Sequence, residues 1–248
     1  MNTLSANTLF HFTKSKETLI NILKSDFRPS YCTEENYLVE SKRWKVPMVC
    51  FCDIPLSQIE EHAYWYGEYA IGLTKEWAIR NNLNPVLYVN KEVELIDTLK
   101  NSFEQLIEKR NSVENFSELQ AIINNLLYQY AYIKPYEGIR YDKNQYIDII
   151  KRYYDEREWR YVPKKENEPL FEFATAFFPG QIQELNNSIK DYGLKFEPKH
   201  INYIIVSKEQ EILEIKREIE KIKGNFPNND VSLLTTRIIS MERIKEDF

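Results

Sequence analysis

The sequence has few cysteines, no long apolar run and no excess of positive charge. Its three cysteines are an odd number without framework spacing, which is typical of a protein from a reducing compartment. No stretch approaches the roughly 18 apolar residues that span a membrane, and no basic segment precedes an apolar run as it does in a signal peptide. We therefore expect a soluble, cytoplasmic protein with no membrane partner.

The charge balance argues against general nucleic-acid binding. The net charge is −5 and the lysines are spread along the chain, whereas such binding rests on a basic face. A local basic patch on a folded acidic protein is compatible with this composition. With 43% hydrophobic residues among 248, the chain can bury a full core.

Several common catalytic and metal-binding signatures are missing. The sequence has no Gly-x4-Gly-Lys-Ser/Thr loop and no Gly-x-Ser-x-Gly elbow, which argues against P-loop nucleotide hydrolysis and α/β-hydrolase chemistry. It also lacks the Cys-x2-Cys and His-x3-His pairs of structural zinc sites. Cys50 and Cys52 would face the same side of a strand, but free cysteines are usually small buried side chains. We therefore predict no metal site.

The hydrophobic pattern alternates between short strands and helices, with a longer helical stretch in the middle. Apolar spacing and capping residues predict two helices within 91–132. We predict a single α+β domain over residues 1–248, with a mixed or antiparallel sheet and a helical insertion or lid at 91–132. We also predict a helix at 144–154 and a strand at 231–239.

The most informative stretch is the charged segment 155–163, DEREWRYVP. Its aromatic residues favour a strand, in which Glu156, Glu158 and Arg160 would share one face. On this face, charged side chains occupy positions where packing would favour apolar ones. The pattern is compatible with an edge strand, with the floor of a polar cleft, and also with a structural ladder of Glu–Arg pairs.

Two further groups of residues are candidates for a binding site. His11 lies between phenylalanines on a predicted strand that ends in Thr13. A histidine in this position can donate a hydrogen bond to a ribose or an amide, or it can be a satisfied core residue. Tyr64 and Tyr66 lie near a helix-to-strand turn, where they can stack on a ring or simply pack.

Five segments of the chain, in this order, resemble the AbiGi family of abortive-infection proteins: LFHFT, VPMVCFCDIPLS, YGEYAIGLTKEWAI, LNPVLYV and YDEREWRYVP. The resemblance covers roughly residues 9–163. Members of this family accompany phage-defence operons and are described as antitoxins of a partner toxin. The resemblance therefore implies a role in bacterial phage defence, with a cognate toxin or another defence-system protein as partner.

A weaker resemblance is to the fold of ADP-ribosyltransferases, enzymes that consume NAD. It implies that His11, on an early strand, binds the nicotinamide ribose of NAD. Thr13 and Arg160 would complete the NAD-binding residues. Tyr64 or Tyr66 would stack on the nicotinamide ring.

The same resemblance implies a catalytic role for Glu158, with Glu156 close by. Loss of nicotinamide leaves positive charge on the ribose, which a nearby carboxylate stabilises. Transfer would go to a nucleic acid or a protein acceptor. The alternative is a non-catalytic antitoxin that binds its toxin through the charged strand and a long C-terminal helix. Metal-dependent nuclease chemistry ranks last because the sequence has no carboxylate-rich loop.

Overall fold

A computed structural model describes residues 7–35, 43–113, 117–143, 145–165, 170–173 and 179–247. The strands are β1 (Thr8–Thr13), β2 (Ser30–Glu35), β3 (Arg43–Cys52), β4 (Tyr69–Thr74), β5 (Asn84–Pro85), β6 (Leu87–Val89), β7 (Ile133–Pro135), β8 (Glu137–Asp142), β9 (Ile147–Arg152), β10 (Glu158–Tyr161), β11 (Glu172–Phe173), β12 (Ile201–Val206) and β13 (Ile238–Ser240). The α-helices are α1 (Lys16–Lys24), α2 (Ile59–Tyr66), α3 (Lys75–Arg80), α4 (Glu94–Asn111), α5 (Ser117–Tyr130), α6 (Pro179–Ser188), α7 (Ile212–Ile222), α8 (Asn228–Thr235) and α9 (Met241–Asp247). Short 3₁₀ helices cover Leu56–Gln58, Tyr153–Glu156, Lys190–Tyr192, Pro198–His200 and Glu209–Glu211.

Most strands join one mixed sheet, in the order β13-β12-β4-β1-β3-β10-β5. The β12–β13 pair is parallel, whereas β4, β1, β3 and β10 run antiparallel to their neighbours. The long strand β3 also pairs with β2 and β11. The predicted α+β class with a mixed sheet is confirmed. Because β10 lies between β3 and β5, the charged segment is an interior strand rather than an edge.

The first helix shows how local sequence sets the layers around the sheet. The Ser15 side chain caps α1 by accepting a hydrogen bond from the Thr18 backbone N–H, which satisfies one of the donors left free at a helix start. Leu19 and Leu23, four residues apart, lie on the same side of the helix and are fully buried. The helix therefore packs against one face of the sheet.

Alternation along β3 divides the core between the two faces of the sheet. Phe51 belongs to a cluster with Leu9 and Ile71, which α1 and α7 cover. Cys52 belongs to a second cluster with Phe10 and Ile59, on the opposite face. Successive residues of a strand point to opposite faces, so neighbours on β1 and β3 serve different layers.

The two helices predicted within 91–132 are present as α4 and α5. The strands on either side of this pair, β6 and β7, run parallel to each other and are hydrogen-bonded, so the two ends of the helical segment lie side by side. Phe103 and Ile123 pack in a cluster with Trp44 of β3. The description of this segment as an insertion or lid, and of the chain as a single domain, stays a prediction.

Two predicted elements are wrong. The segment 144–154 is not a helix: β9 occupies Ile147–Arg152 and pairs with β8 as an antiparallel hairpin. Its β-branched isoleucines favour a strand once a partner strand is available. Most of the segment 231–239 is not a strand: α8 buries Val231 and Leu234, three residues apart on one helical face, and only Ile238 and Ile239 lie in a strand, β13.

Among the described residues, no helix combines the length and the apolar character needed to cross a membrane.

Candidate functional site

A cavity of about 590 Å³ opens where β1 and β3 separate. In the described residues these strands share a single register pair, Phe10 with Cys52. Beyond it, the His11 ring Nδ1 lies 2.8 Å from the Cys50 carbonyl oxygen, so a side chain replaces the next backbone bond. Four phenylalanines dominate the apolar part of the lining, at positions 10, 12, 27 and 51.

His11 and Glu158 both line this cavity, but they reach it from different faces of the sheet. Phe10, Cys52 and Glu158 are aligned across β1, β3 and β10 and so share one face. His11, the next residue, points to the other face, where its ring lies 5.2 Å from Phe27 and 5.4 Å from Phe51. Their catalytic and cofactor-binding roles stay predictions.

Both carboxylate oxygens of Glu158 are occupied by cations. Lys134 Nζ lies 2.5 Å from Oε2, and Arg160 Nε donates to Oε1. Burial alone would raise the pKa of this carboxyl, but the charges of Arg160 and Lys134 outweigh it and hold the pKa well below its usual range. Glu158 is therefore ionised at neutral pH, 6% exposed and fully paired.

Glu156 also contacts Lys134 but lies outside the strand, so the predicted strand position of this residue is wrong. Glu156 is the last residue of the 3₁₀ helix that precedes β10. Arg157, the residue between Glu156 and β10, has a left-handed backbone conformation, with φ 43° and ψ 50°. This conformation is uncommon for a residue other than glycine. It turns the chain so that Glu156 Oε2 lies 2.5 Å from Lys134 Nζ.

Three more groups contact the other oxygen of Glu156. The Tyr66 hydroxyl donates to Oε1 at 2.6 Å, Lys151 Nζ lies at 3.4 Å and Arg140 Nη1 at 3.6 Å. Burial would raise the pKa of Glu156, but the charge of Lys134 lowers it below its ordinary value. This carboxylate too is ionised and enclosed by positive charge.

Arg160 is fully buried and all of its contacts are internal. Its Nη1 donates to the Ala131 carbonyl at 2.7 Å, its Nη2 to Glu34 at 2.7 Å, and its Nε to Glu158. A guanidinium held in this way has no pair of N–H groups left to bind a cofactor. We define the charged cluster as Glu34, Glu156, Glu158, Lys134, Lys151, Arg140 and Arg160.

The structure separates the other predicted cofactor-binding residues. Tyr66 lines the cavity. Tyr64 is 45% exposed and donates its hydroxyl proton to Asp142, outside the cavity lining. Thr13 is buried at the end of β1, opposite Tyr69 of β4, and also lies outside the lining. Of the five predicted cofactor-binding residues, the cavity therefore brings together His11 and Tyr66.

Two histidines in the cavity wall are neutral at pH 7. Burial lowers the pKa of His11, and because the Cys50 carbonyl is an acceptor, Nδ1 carries the proton. Burial also lowers the pKa of His62 to about 4. The His62 ring packs 5.0 Å from Phe12 and 4.5 Å from Tyr66. Helical spacing in the sequence already places His62 on the same face of α2 as Tyr66.

Three of the four cations of the cluster, Lys134, Arg140 and Lys151, were not identified from sequence. Lys134 lies between Ile133 and Pro135 in a short apolar strand, where a lysine is rarely buried unless it is paired. A lysine in such a strand indicates the cation that a buried carboxylate requires. Arg140 and Lys151 lie on the hairpin that was predicted in part as a helix, so their convergence on Glu156 was hidden.

The cysteines give no sign of reactive thiols. Burial raises the pKa of Cys50 and of Cys52 well above the usual value, and raises that of Cys32 to about 11. All three are therefore protonated at neutral pH, whereas the thiolate is the form that binds metals and attacks electrophiles. Within the described ranges, no group of three or more Cys, His, Asp or Glu side chains is placed to hold a metal ion.

The fold and the site thus define a mixed α+β protein with a buried charged cluster beside an apolar cavity. The model of the AbiGi family, described as abortive phage resistance protein and antitoxin, matches residues 25–207. An abortive phage resistance protein AbiGi from Lactococcus lactis subsp. cremoris is 33% identical over 254 residues, covering 90% of this chain and 99% of that protein. The chain belongs to the AbiGi family, a family of abortive phage resistance. No solved structure matches it, so the ADP-ribosyltransferase-like fold stays a prediction.

Proposed function

We propose that this protein is the antitoxin of an abortive-infection pair and acts by binding its cognate toxin, without catalysis. The observation that carries the proposal is the pairing of Glu158 with Lys134 and Arg160. A carboxylate that stabilises a developing positive charge must face the reacting atom. Here two cations occupy its oxygens, which favours a structural role. The family's description as an antitoxin supports the same reading.

The charged cluster then has a definite structural task. Glu156 and Glu158 hold together β7, β10 and the β8–β9 hairpin, which supply Lys134, Arg160, Arg140 and Lys151. A buried ion pair contributes little net stability but fixes one arrangement of the elements that carry it. The cluster therefore sets the position of surface elements that a partner could contact.

The test is neutralisation. The cognate toxin would be expressed from an inducible promoter in a bacterial host, with and without this protein. We expect the toxin to arrest growth, and co-expression to restore growth and yield a complex that co-purifies in a fixed ratio. Growth arrest that persists despite soluble antitoxin, with no complex formed, would contradict the proposal.

The second candidate is an NAD-consuming ADP-ribosyltransferase, favoured by one observation: His11 and Glu158 line the same cavity. In this reading His11 donates its Nδ1–H to the Cys50 carbonyl and accepts a hydrogen bond from a hydroxyl of the nicotinamide ribose at Nε2, and Glu158 is the catalytic carboxylate. Purified protein would be incubated with NAD and with nucleic-acid or protein acceptors, and nicotinamide release measured. Release that disappears in a stably folded Glu158→Gln variant would replace the antitoxin proposal with this one.

A further inference from the structure

We infer that the outer face of the β8–β9 hairpin is the surface on which the cognate toxin docks, through an apolar patch bordered by two carboxylates. This inference rests on the proposed antitoxin function. It names the surface and the chemistry of the partner, which neither the family resemblance nor the cavity indicates.

The register of the hairpin defines its two faces. The paired positions of the outer face are Glu137 with Arg152, Ile139 with Ile150, and Tyr141 with Asp148. Residues opposite each other in an antiparallel pair lie on the same face. The remaining pairs, such as Gly138 with Lys151, form the inner face.

The outer face exposes an unusual amount of apolar surface. Ile139 is 72% exposed and Ile150 is 75% exposed, and they lie directly opposite each other. Tyr141 is half exposed beside them, and Tyr146 at the tip is exposed as well. Scattered exposed apolar residues are normal, but a contiguous patch of them marks an interaction surface.

The inner face explains why this patch is held in place. The Arg140 guanidinium lies 4.5 Å from the centre of the Trp65 ring, and its Nη1 lies 2.8 Å from the Tyr66 hydroxyl. Lys151 is buried and lies 4.8 Å from the Trp65 ring, with Glu156 within ion-pair distance. An isolated two-stranded hairpin is marginal in water, so the charged cluster and α2 supply the support that presents the outer face.

Charge identifies the kind of partner. Glu137 and Asp148 are exposed on the outer face, and neither forms an ion pair with another described residue. Asp148 lies opposite Tyr141, which is four residues beyond Glu137, so the two carboxylates are separated by roughly 13 Å along the ribbon at about 3.4 Å per residue. They border the isoleucine pair on both sides. At the Glu137 end Arg152 lies directly opposite and already supplies a positive charge, so the carboxylate without a neighbouring cation is Asp148. A matching surface of the toxin carries an apolar centre with a Lys or Arg that faces Asp148.

The experiment measures the affinity of the purified toxin for hairpin variants by calorimetry. In Ile139→Thr/Ile150→Thr the β-branched shape is kept and most of the apolar area is lost, so we expect at least a roughly tenfold loss of affinity. Asp148→Lys reverses a bordering charge, and we expect a further loss that is larger at low salt. Ile79→Thr, at a 62% exposed isoleucine of α3, and Glu104→Lys, on the exposed side of α4, are the controls.

The outcomes separate the two proposals. If wild-type protein neither binds nor neutralises the toxin, the proposed function is wrong. If it binds, and the hairpin variants bind equally well while their melting temperatures stay near wild type, the docking surface is wrong and the function stands. Sedimentation of this protein alone is the remaining check. A wild-type dimer that Ile139→Thr/Ile150→Thr converts to a monomer would assign the patch to self-association and overturn the inference.

Discussion

Replacing Glu158 by glutamine distinguishes a structural carboxylate from a catalytic one. The change keeps the size of the side chain but leaves Lys134 and Arg160 without the charge that both contact. Removing one partner of a buried ion pair costs about 3–5 kcal/mol. Because Glu34 and Arg140 at the border of the cluster are partly exposed, we expect a loss of unfolding free energy of about 3 kcal/mol.

A double-mutant cycle with Lys134→Met sharpens the test. The charged cluster contains three carboxylates and four cations, a net charge of +1. Glu158→Gln raises this to +2, whereas the double variant returns it to +1. The double variant should therefore be less destabilised than the sum of the single variants, by about 1–3 kcal/mol.

Urea unfolding followed by circular dichroism gives these free energies by linear extrapolation. The matched control is Glu76→Gln, in an exposed ion pair with Arg80, where we expect a change of about 0–1 kcal/mol. A Glu158→Gln variant as stable as this control, or strict additivity in the cycle, would refute the structural role of the cluster.

The remaining predictions concern α2, which forms part of the cavity wall. His62 has a folded-state pKa of about 4, below its ordinary value of 6.5, so the unfolded chain takes up the proton first and stability is lost as pH falls from 6.5 towards 4. We expect His62→Phe to reduce the loss of unfolding free energy between pH 7 and pH 4.5 by about 2 kcal/mol, whereas identical pH profiles for variant and wild type would show that this histidine is not titrating. Gly67 ends α2 at φ 110°, and a Cβ there would lie 2.3 Å from the Thr13 carbonyl oxygen. Gly67→Ala should therefore lower the melting temperature by several degrees, and an unchanged melting curve would contradict the close approach of α2 to β1.

Local patterns in the sequence predicted the strands of the site but not their neighbours. The aromatic and charged alternation of 158–161 and the flanking phenylalanines of His11 identified β10 and β1 as strands. Their pairing with a common partner, β3, could not be predicted, because pairing between distant segments leaves no local pattern. The left-handed Arg157 was also invisible, since glycine or asparagine is the usual signal for such a turn.

The hairpin was missed for a different physical reason. Apolar residues usually mark the buried face of a helix or strand. On the hairpin the isoleucines at 139 and 150 face outward, while Arg140 and Lys151 are the residues packed inward. A pattern of this inverted kind is expected where a surface is kept for binding.

The pairing of β10 with β3 also has a consequence for folding. Cys52 and Glu158, aligned in this pair, lie more than a hundred residues apart, so β10 joins the sheet only after a large loop has closed. Until then an aromatic segment of high strand propensity is exposed. Its Glu and Arg residues interrupt that segment with charge, as gatekeeper residues do beside strands that are prone to aggregate. Glu158 and Arg160 pair with each other in the native protein. Before β10 joins the sheet, the same charges keep the unfinished chain from associating with other copies during synthesis.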